Sequence, residues 1–229
     1  MKLIKTVTVE GSFQELLQQA APGERIVVCE SDTGDYWSTH TRGVVFPYRE
    51  QLLLNGEEVL YEGIFNDFGS REEDFVILQG KDLIFGQDQT FLRNGRDVLY
   101  VGAYDRWKMH PDGVVIQRDK QLLLNGTHLL YEGNFEEWGL HKDGVVVRKG
   151  DTFLLNGEKM LYEGEWDAWK STIESGLVIE RDSHIHLPDG KYLKIPSREL
   201  GEEWQLHPQG VIFQIDGQFL LYPFFNAAT

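Results

Sequence analysis

The chain of 229 residues is 41% hydrophobic and 26% charged, a composition typical of a folded protein rather than a disordered one. Its 37 acidic and 22 basic residues give a formal net charge of −15, and this charge repels nucleic acid and anionic membrane surfaces, so we expect neither as a partner. The single cysteine, Cys29, excludes an intramolecular disulfide and a multi-cysteine metal site. Because the N-terminus shows no signal-peptide pattern, we expect a cytoplasmic protein.

The N-terminal segment 1–23 predicts a strand followed by a helix. In "VTVEGSFQELLQQAAPGE", Ser12 can cap a helix with Glu15 three residues later, and the Pro-Gly pair ends it. We expect this segment to pack on residues 24–229 within a single domain overall. The stretch "SFQELLQQAAPGERIVV" also resembles the entry segment of right-handed β-helix proteins of the pectin-lyase type, and that resemblance implies a solenoid of parallel rungs.

From residue 37 onward the chain repeats an anchor aromatic, usually Trp, at intervals of 31 to 39 residues. The six anchors are Trp37, Phe68, Trp107, Trp138, Trp169 and Trp204. Self-similarity at this period indicates a repeat architecture. An aromatic at a fixed place in each copy is predicted to fill the core between neighbouring units.

Every copy has the same internal order after its anchor. A turn such as "HPDG" precedes an apolar run such as "VVI", and a polar turn then leads to "LLLNG" and "LLYEG". Asn-Gly between two apolar runs predicts a tight type I′ hairpin turn, which needs positive φ at both central residues. Each copy therefore predicts four antiparallel strands, a to d, with no interval long enough for a crossover helix.

Four short antiparallel strands in each of six copies predict an all-β fold, a six-bladed β-propeller with one N-terminal helix. The sixth copy lacks strand d, and residues 24–30 mirror the missing strand, so we expect the N-terminus to close the last blade. The repeated hairpin turns favour this fold over the solenoid, whose rungs are parallel. The pattern resembles the general propeller repeat but lacks the GH…WD pairing of WD repeats and the paired glycines of kelch repeats, so it implies no site residues.

Acidic residues recur two positions before the anchor aromatic, where the second copy has Asn66, and several more stand one position before it. The predicted partner-binding carboxylates are Asp35, Asp67, Asp105, Glu136, Glu137, Asp167, Glu202 and Glu203. Two explanations remain open at this point. These side chains can accept backbone N–H bonds in turns, or they can form a ring of negative potential that attracts a basic protein or a cation.

Histidines form a second column, three residues after the anchor. Its members are His40, His110, His141 and His207. Residues on neighbouring blades lie too far apart to converge on one ion, so we expect these imidazoles to bond backbone carbonyls at the turn. His184 and His186 share one face of a strand, but two ligands do not complete a zinc site. We therefore predict no metal and no cofactor.

Trp166 stands outside the series of anchors. A Trp that the repeat does not require is a candidate contact residue, either for a protein partner or for the face of a sugar.

The chain has no G-x-S-x-G elbow, P-loop or H-E-x-x-H motif, so we predict that it is not an enzyme. Its charge and carboxylates predict a non-catalytic protein whose acidic propeller face captures a basic protein partner. An inhibitor or an immunity-type protein that neutralises a cationic toxin would act in this way. The alternatives are a carbohydrate-binding, lectin-like propeller that uses Trp166 and, less favoured, a carbohydrate-active hydrolase with its site in the irregular second and fifth copies.

Overall fold

A computed structural model of the chain describes residues 26–30, 36–71, 74–80, 89–182, 184–188, 190, 192–194, 204–207, 210–215 and 218–223. These residues form six four-stranded antiparallel sheets, the blades of a six-bladed β-propeller. The predicted fold class is confirmed, and the parallel solenoid is wrong because the strands of each blade pair antiparallel. The predicted N-terminal strand and helix in 1–23 lie outside the described residues.

The strands are short and follow one another without a helix among the described residues. In chain order they are β1 (Ile26–Glu30), β2 (Ser38–His40), β3 (Gly43–Tyr48), β4 (Gln51–Leu54), β5 (Glu58–Glu62), β6 (Asp67–Arg71), β7 (Asp74–Gln79), β8 (Gln89–Arg93), β9 (Asp97–Gly102), β10 (Arg106–His110), β11 (Gly113–Arg118), β12 (Gln121–Leu124), β13 (His128–Glu132), β14 (Glu137–His141), β15 (Gly144–Lys149), β16 (Thr152–Leu155), β17 (Lys159–Glu163), β18 (Ala168–Thr172), β19 (Gly176–Arg181), β20 (His184–His186), β21 (Tyr192–Lys194), β22 (Trp204–His207), β23 (Gly210–Ile215) and β24 (Gln218–Pro223). The first five blades take four consecutive strands each, starting from β2, and these strands are a to d of the blade.

The sixth blade is closed by the N-terminal strand, as predicted. Its strand order is β1-β24-β23-β22, so β1 supplies strand d. Ile26 pairs with Leu221 and Glu30 pairs with Gln218. Because the two ends of the chain share one sheet, separating them would break a full ladder of backbone hydrogen bonds.

The chain divides into two compact units. One consists of Met1–Ile64, Ser70–Asp74 and Ser197–Thr229 and carries the first and sixth blades; the other consists of Phe65–Gly69 and Phe75–Pro196 and carries the third to fifth blades with most of the second. One core cluster of the first unit comprises Trp37, Val44, Phe46, Leu53, Ile212, Phe219 and Leu221. In the second unit, separate apolar clusters lie between consecutive blades.

A radial row of paired side chains begins at the anchor aromatic and crosses all four strands of a blade. In the fourth blade Trp138 pairs with Val147, Val147 with Leu154 and Leu154 with Met160. Trp138 and Val147 are buried, whereas Met160 is 59% exposed. The predicted core role of the anchors is confirmed for the buried Trp37, Phe68, Trp138 and Trp204, while Trp107 and Trp169 are half-buried.

The Asn-Gly turns between strands c and d have the predicted backbone conformation. Asn125 and Gly126 have φ of 50° and 73°, positive at both central residues as a type I′ turn requires. Glycine is needed at the second position for a further reason. A Cβ on Gly126 would lie 2.3 Å from Cε2 of Tyr100, which belongs to strand d of the preceding blade.

A β-bulge interrupts the pairing of strands c and d in each of the first four blades. In the fourth blade Phe153 pairs with Tyr162 and Leu154 with Met160, so Leu161 is an extra residue. The extra residues of these blades are Leu60, Leu99, Leu130 and Leu161. A bulge increases the local twist of the outer strand. In the second, third and fourth blades the Tyr that follows the bulge packs on the next blade. The fifth blade has no such shift in its register.

No helix among the described residues is long and apolar enough to cross a membrane.

Candidate functional site

The side chains two positions before the anchors brace a turn in their own blade. Each described member accepts a hydrogen bond from a backbone N–H that follows strand b. The bonds join Asn66 Oδ1 to Gly80 N (2.7 Å), Asp105 Oδ2 to Asp119 N (2.7 Å), Glu136 Oε1 to Gly150 N (3.0 Å) and Asp167 Oδ2 to Asp182 N (3.0 Å). In the third to fifth blades the donor residue has positive φ, so the carboxylate stabilises a tight turn.

The side chains one position before the anchors connect neighbouring blades of the second unit. Trp107 Nε1 donates to Asp67 Oδ2 at 2.8 Å, and Trp169 Nε1 donates to Glu137 Oε2 at 2.7 Å. In each pair the acid belongs to the blade that precedes the Trp. Burial, together with the charge of Asp67, raises the pKa of Tyr104. These two carboxylates are half-buried and serve blade packing, so they offer less to a partner than exposed carboxylates do.

Arg148 neutralises part of the negative charge between the fourth and fifth blades. Its guanidinium forms ion pairs with Glu136 (2.6 Å) and Glu137 (3.3 Å). The same group lies 5.1 Å from the centre of the Trp166 ring, a cation–π contact. Trp166 also packs edge-on against Phe153, with ring centres 5.9 Å apart. Trp166 therefore contributes to the packing between blades, and the premise that the core does not require it is wrong.

The exposed carboxylates at the end where strand d of one blade leads into strand a of the next form one candidate surface. Five of them in the second unit are Asp105, Glu132, Glu136, Glu163 and Asp167, which we call the acidic d–a face. Glu165 in the same connection and Asp119, Asp151 and Asp182 in the b–c turns are also exposed at this end. The turn N–H occupies one oxygen of each braced acid. The other oxygen of Asp105 and of Asp167 can accept a further bond, whereas Oε2 of Glu136 is paired with Arg148. Glu132 and Glu163 end strands β13 and β17 and were missed by the sequence analysis, although the repeated "YEG" contains them.

Three of the predicted carboxylates, Asp35, Glu202 and Glu203, lie outside the described residues. Of the others, the structure brings Asp105, Glu136 and Asp167 to the same end of consecutive blades, each exposed.

The opposite end of the first, third and fourth blades is held by the asparagine of the Asn-Gly turn. Asn156 Oδ1 accepts the N–H of Val145 at 3.0 Å, and its Nδ2 donates to the carbonyl of Asp143 at 3.0 Å. Asn55 and Asn125 make the same two bonds. An amide supplies both the acceptor and the donor, so it ties the c–d turn to the a–b turn, which a carboxylate would not do.

The histidine column stabilises the same turns. Nδ1 of His110 and of His141 accepts the N–H of the residue two positions later at 3.1 Å, a contact that the sequence analysis did not foresee. In the fifth blade Thr172 Oγ1 accepts the N–H of Ser175 in the same way. His207 Nε2 lies 3.0 Å from the carbonyl oxygen of His40, which is the predicted kind of contact.

His207 is a buried member of this column whose pKa is strongly lowered. The residue is 1% exposed, and its burial lowers the pKa to about 4 despite backbone hydrogen bonds that favour the charged form. Burial also lowers the pKa of His141, which is only half-buried. A buried neutral imidazole of this kind links folding of the first unit to pH.

His184 and His186 lie on one face of β20, as predicted, with ring centres 6.2 Å apart. Among the described residues, no group of three or more His, Cys, Asp or Glu side chains is arranged to hold a metal ion.

The fold and these contacts define a class, a repeat β-propeller whose repeated polar residues mainly brace its own turns and blade interfaces. Comparison of the chain with protein-family models and with curated proteins finds no match.

Proposed function

We propose that this protein is a non-catalytic binding protein of the cytoplasm whose acidic d–a face captures a basic protein partner, in an inhibitor or immunity-type role. One observation carries the proposal: exposed carboxylates recur at one end of consecutive blades, and several are fixed in place by backbone N–H bonds. Fixed charges lose little conformational entropy when a partner binds. The net charge of −15 adds long-range attraction for a cationic partner.

Substitutions that keep the turn braces test this proposal. Asp105→Asn, Glu132→Gln and Glu163→Gln together remove three charges from the acidic d–a face while leaving oxygens that accept hydrogen bonds. The matched control, Asp112→Asn, Asp143→Asn and Glu158→Gln, removes three exposed charges from the opposite end of the third and fourth blades. Both variants carry the same net charge, so only the position of the charge differs.

The partner is first captured from the native lysate at low salt and identified, and its Kd is then measured by calorimetry at two salt concentrations. Surface ion pairs contribute about 0.2–1 kcal/mol each, so loss of three should weaken binding about tenfold and reduce its salt dependence. The control variant should bind like the parent chain. Equal weakening by both variants would contradict the assignment of this face, and binding that does not change with salt would contradict a charge-driven mechanism.

A second candidate, carbohydrate binding, is favoured by an exposed aromatic ring in the fifth blade. Tyr192 is 66% exposed and lies beside His184 and His186. Rings of this kind stack on the apolar faces of sugars. Glycan binding that persists at high salt and is lost in Tyr192→Ala would replace the first proposal.

A further inference from the structure

The fifth blade departs from the radial row that the other blades share. At the strand-c position of this row the other blades have leucine, namely Leu53, Leu92, Leu123, Leu154 and Leu220. The fifth blade has His186 there, paired with Tyr192 on the outer strand. A polar pair at a position built for aliphatic packing is unnecessary for the fold, so it invites a functional explanation.

His184, His186 and Tyr192 form one cluster on this blade. The ring centres of the two histidines are 6.2 Å apart, and the Tyr192 ring lies 5.4 Å from His184 and 6.3 Å from His186. His186 and Tyr192 are exposed and His184 is half-buried, so an ion from solvent can reach the cluster. Arg181, which pairs with His184 on the neighbouring strand, forms an ion pair with Asp182 at 3.2 Å.

The tautomer of His184 is set by its backbone contact. Its Nδ1 lies 2.8 Å from the carbonyl oxygen of Asp182. A carbonyl oxygen only accepts, so Nδ1 carries the proton and Nε2 keeps its lone pair. Histidines that bind metal ions are usually oriented in this way, with the second ring nitrogen donating to a carbonyl or carboxylate.

The separation of the two rings is within reach of a single ion. A metal–nitrogen bond of about 2.1 Å places the ion about 3.2 Å from each ring centre, so one ion can join centres up to about 6.4 Å apart. Tetrahedral geometry needs the centres about 5.2 Å apart, a closure of about 1 Å that rotation of the exposed His186 side chain can supply.

We propose that His184 Nε2 and a ring nitrogen of His186 bind one Cu²⁺ or Zn²⁺ ion at the surface of the fifth blade, with water completing the coordination beside Tyr192. Imidazole favours these ions over Mg²⁺ and Ca²⁺, which prefer oxygen ligands. This metal site is independent of the acidic d–a face. Carboxylates on that face would attract Ca²⁺ or Mg²⁺ instead.

Calorimetric titration of the untagged full chain with CuCl₂ and with ZnCl₂ at neutral pH tests the site. We expect one ion per chain, with Cu²⁺ bound more tightly than Zn²⁺. His184→Gln and His186→Gln should each weaken binding at least about tenfold. The matched control is His128→Gln, which removes an exposed histidine of the third blade and should leave the affinity unchanged. The electron paramagnetic resonance spectrum of the Cu²⁺ form should show two nitrogen ligands, and one in His186→Gln.

Several results would overturn the site. They are unchanged binding in both histidine variants, a spectrum without paired nitrogen ligands, and displacement of the ion by equimolar Ca²⁺. Circular dichroism of each variant establishes that it is folded, and His186→Gln decides the outcome if loss of the His184 backbone contact disturbs the turn.

Discussion

Acidification should destabilise the protein through the buried side chain of His207. Folding lowers its pKa from an ordinary value of 6.5 to about 4, and burial is the main cause. Between pH 6.5 and pH 4, His207 is protonated in the unfolded chain but neutral in the folded chain. The free energy of unfolding therefore falls as the pH drops from above 6.5 toward 4.

A pKa lowered to about 4 corresponds to about 3 kcal/mol of stability lost between pH 7 and pH 4. Carboxylates titrate over part of the same range, so the contribution of His207 is isolated by comparison with His207→Gln. The Nε2 of glutamine can still donate to the carbonyl of His40, but it does not titrate.

The assay is urea unfolding of both proteins at intervals from pH 7.5 to pH 4. The parent chain should lose about 3 kcal/mol more than His207→Gln over this range. His128→Gln, in which an exposed histidine is removed, should follow the parent chain. A stability difference between the parent chain and His207→Gln that stays constant from pH 7.5 to pH 4 would refute the reasoning.

Three further tests address the structural roles. Gly157→Ala and Gly150→Ala both place a Cβ at positive φ, but only the Cβ at Gly157 would meet the Tyr131 ring, at 2.4 Å. In thermal unfolding, Gly157→Ala should therefore lose about 1–3 kcal/mol more stability than Gly150→Ala. Equal losses would contradict the ring contact. In urea unfolding, Asp105→Ala should lose about 1 kcal/mol of stability because the N–H of Asp119 loses its acceptor, whereas Asp105→Asn should lose less. Identical losses would contradict a stabilising role for this hydrogen bond. Trp169→Phe should cost about 1–3 kcal/mol of chemical stability because Glu137 loses the indole donor, and an unchanged unfolding midpoint would argue against the bond.

The blade architecture was predictable because its signals are local. The spacing from Trp107 to Trp138 to Trp169 sets the repeat, and Asn125 with Gly126 sets the hairpin. Closure by β1 followed from the missing strand d of the last copy. The bulge at Leu161 was not predictable, since one extra apolar residue in an apolar strand leaves the sequence pattern unchanged.

The candidate site was less predictable, because an acid before a strand appears the same whether it binds a partner or its own backbone. The N–H that Asp105 accepts lies 14 residues further along the chain, and only the folded blade brings the two together. The role of Trp166 could have been found from the sequence. Phe65, Tyr104 and Phe135 stand at the same place in other copies, three residues before the anchor, so Trp166 belongs to a repeated column.

The hydrogen bonds of the Asn-Gly asparagines affect how readily these residues deamidate. Asn-Gly is the dipeptide most prone to spontaneous deamidation, in which the next peptide nitrogen attacks the side-chain carbonyl. Here the amide of Asn156 is held by Val145 of strand β15 and by Asp143 of the a–b turn. The folded state therefore protects these asparagines from deamidation. Each time the chain unfolds they lose this protection, and refolding does not reverse a deamidation that has occurred.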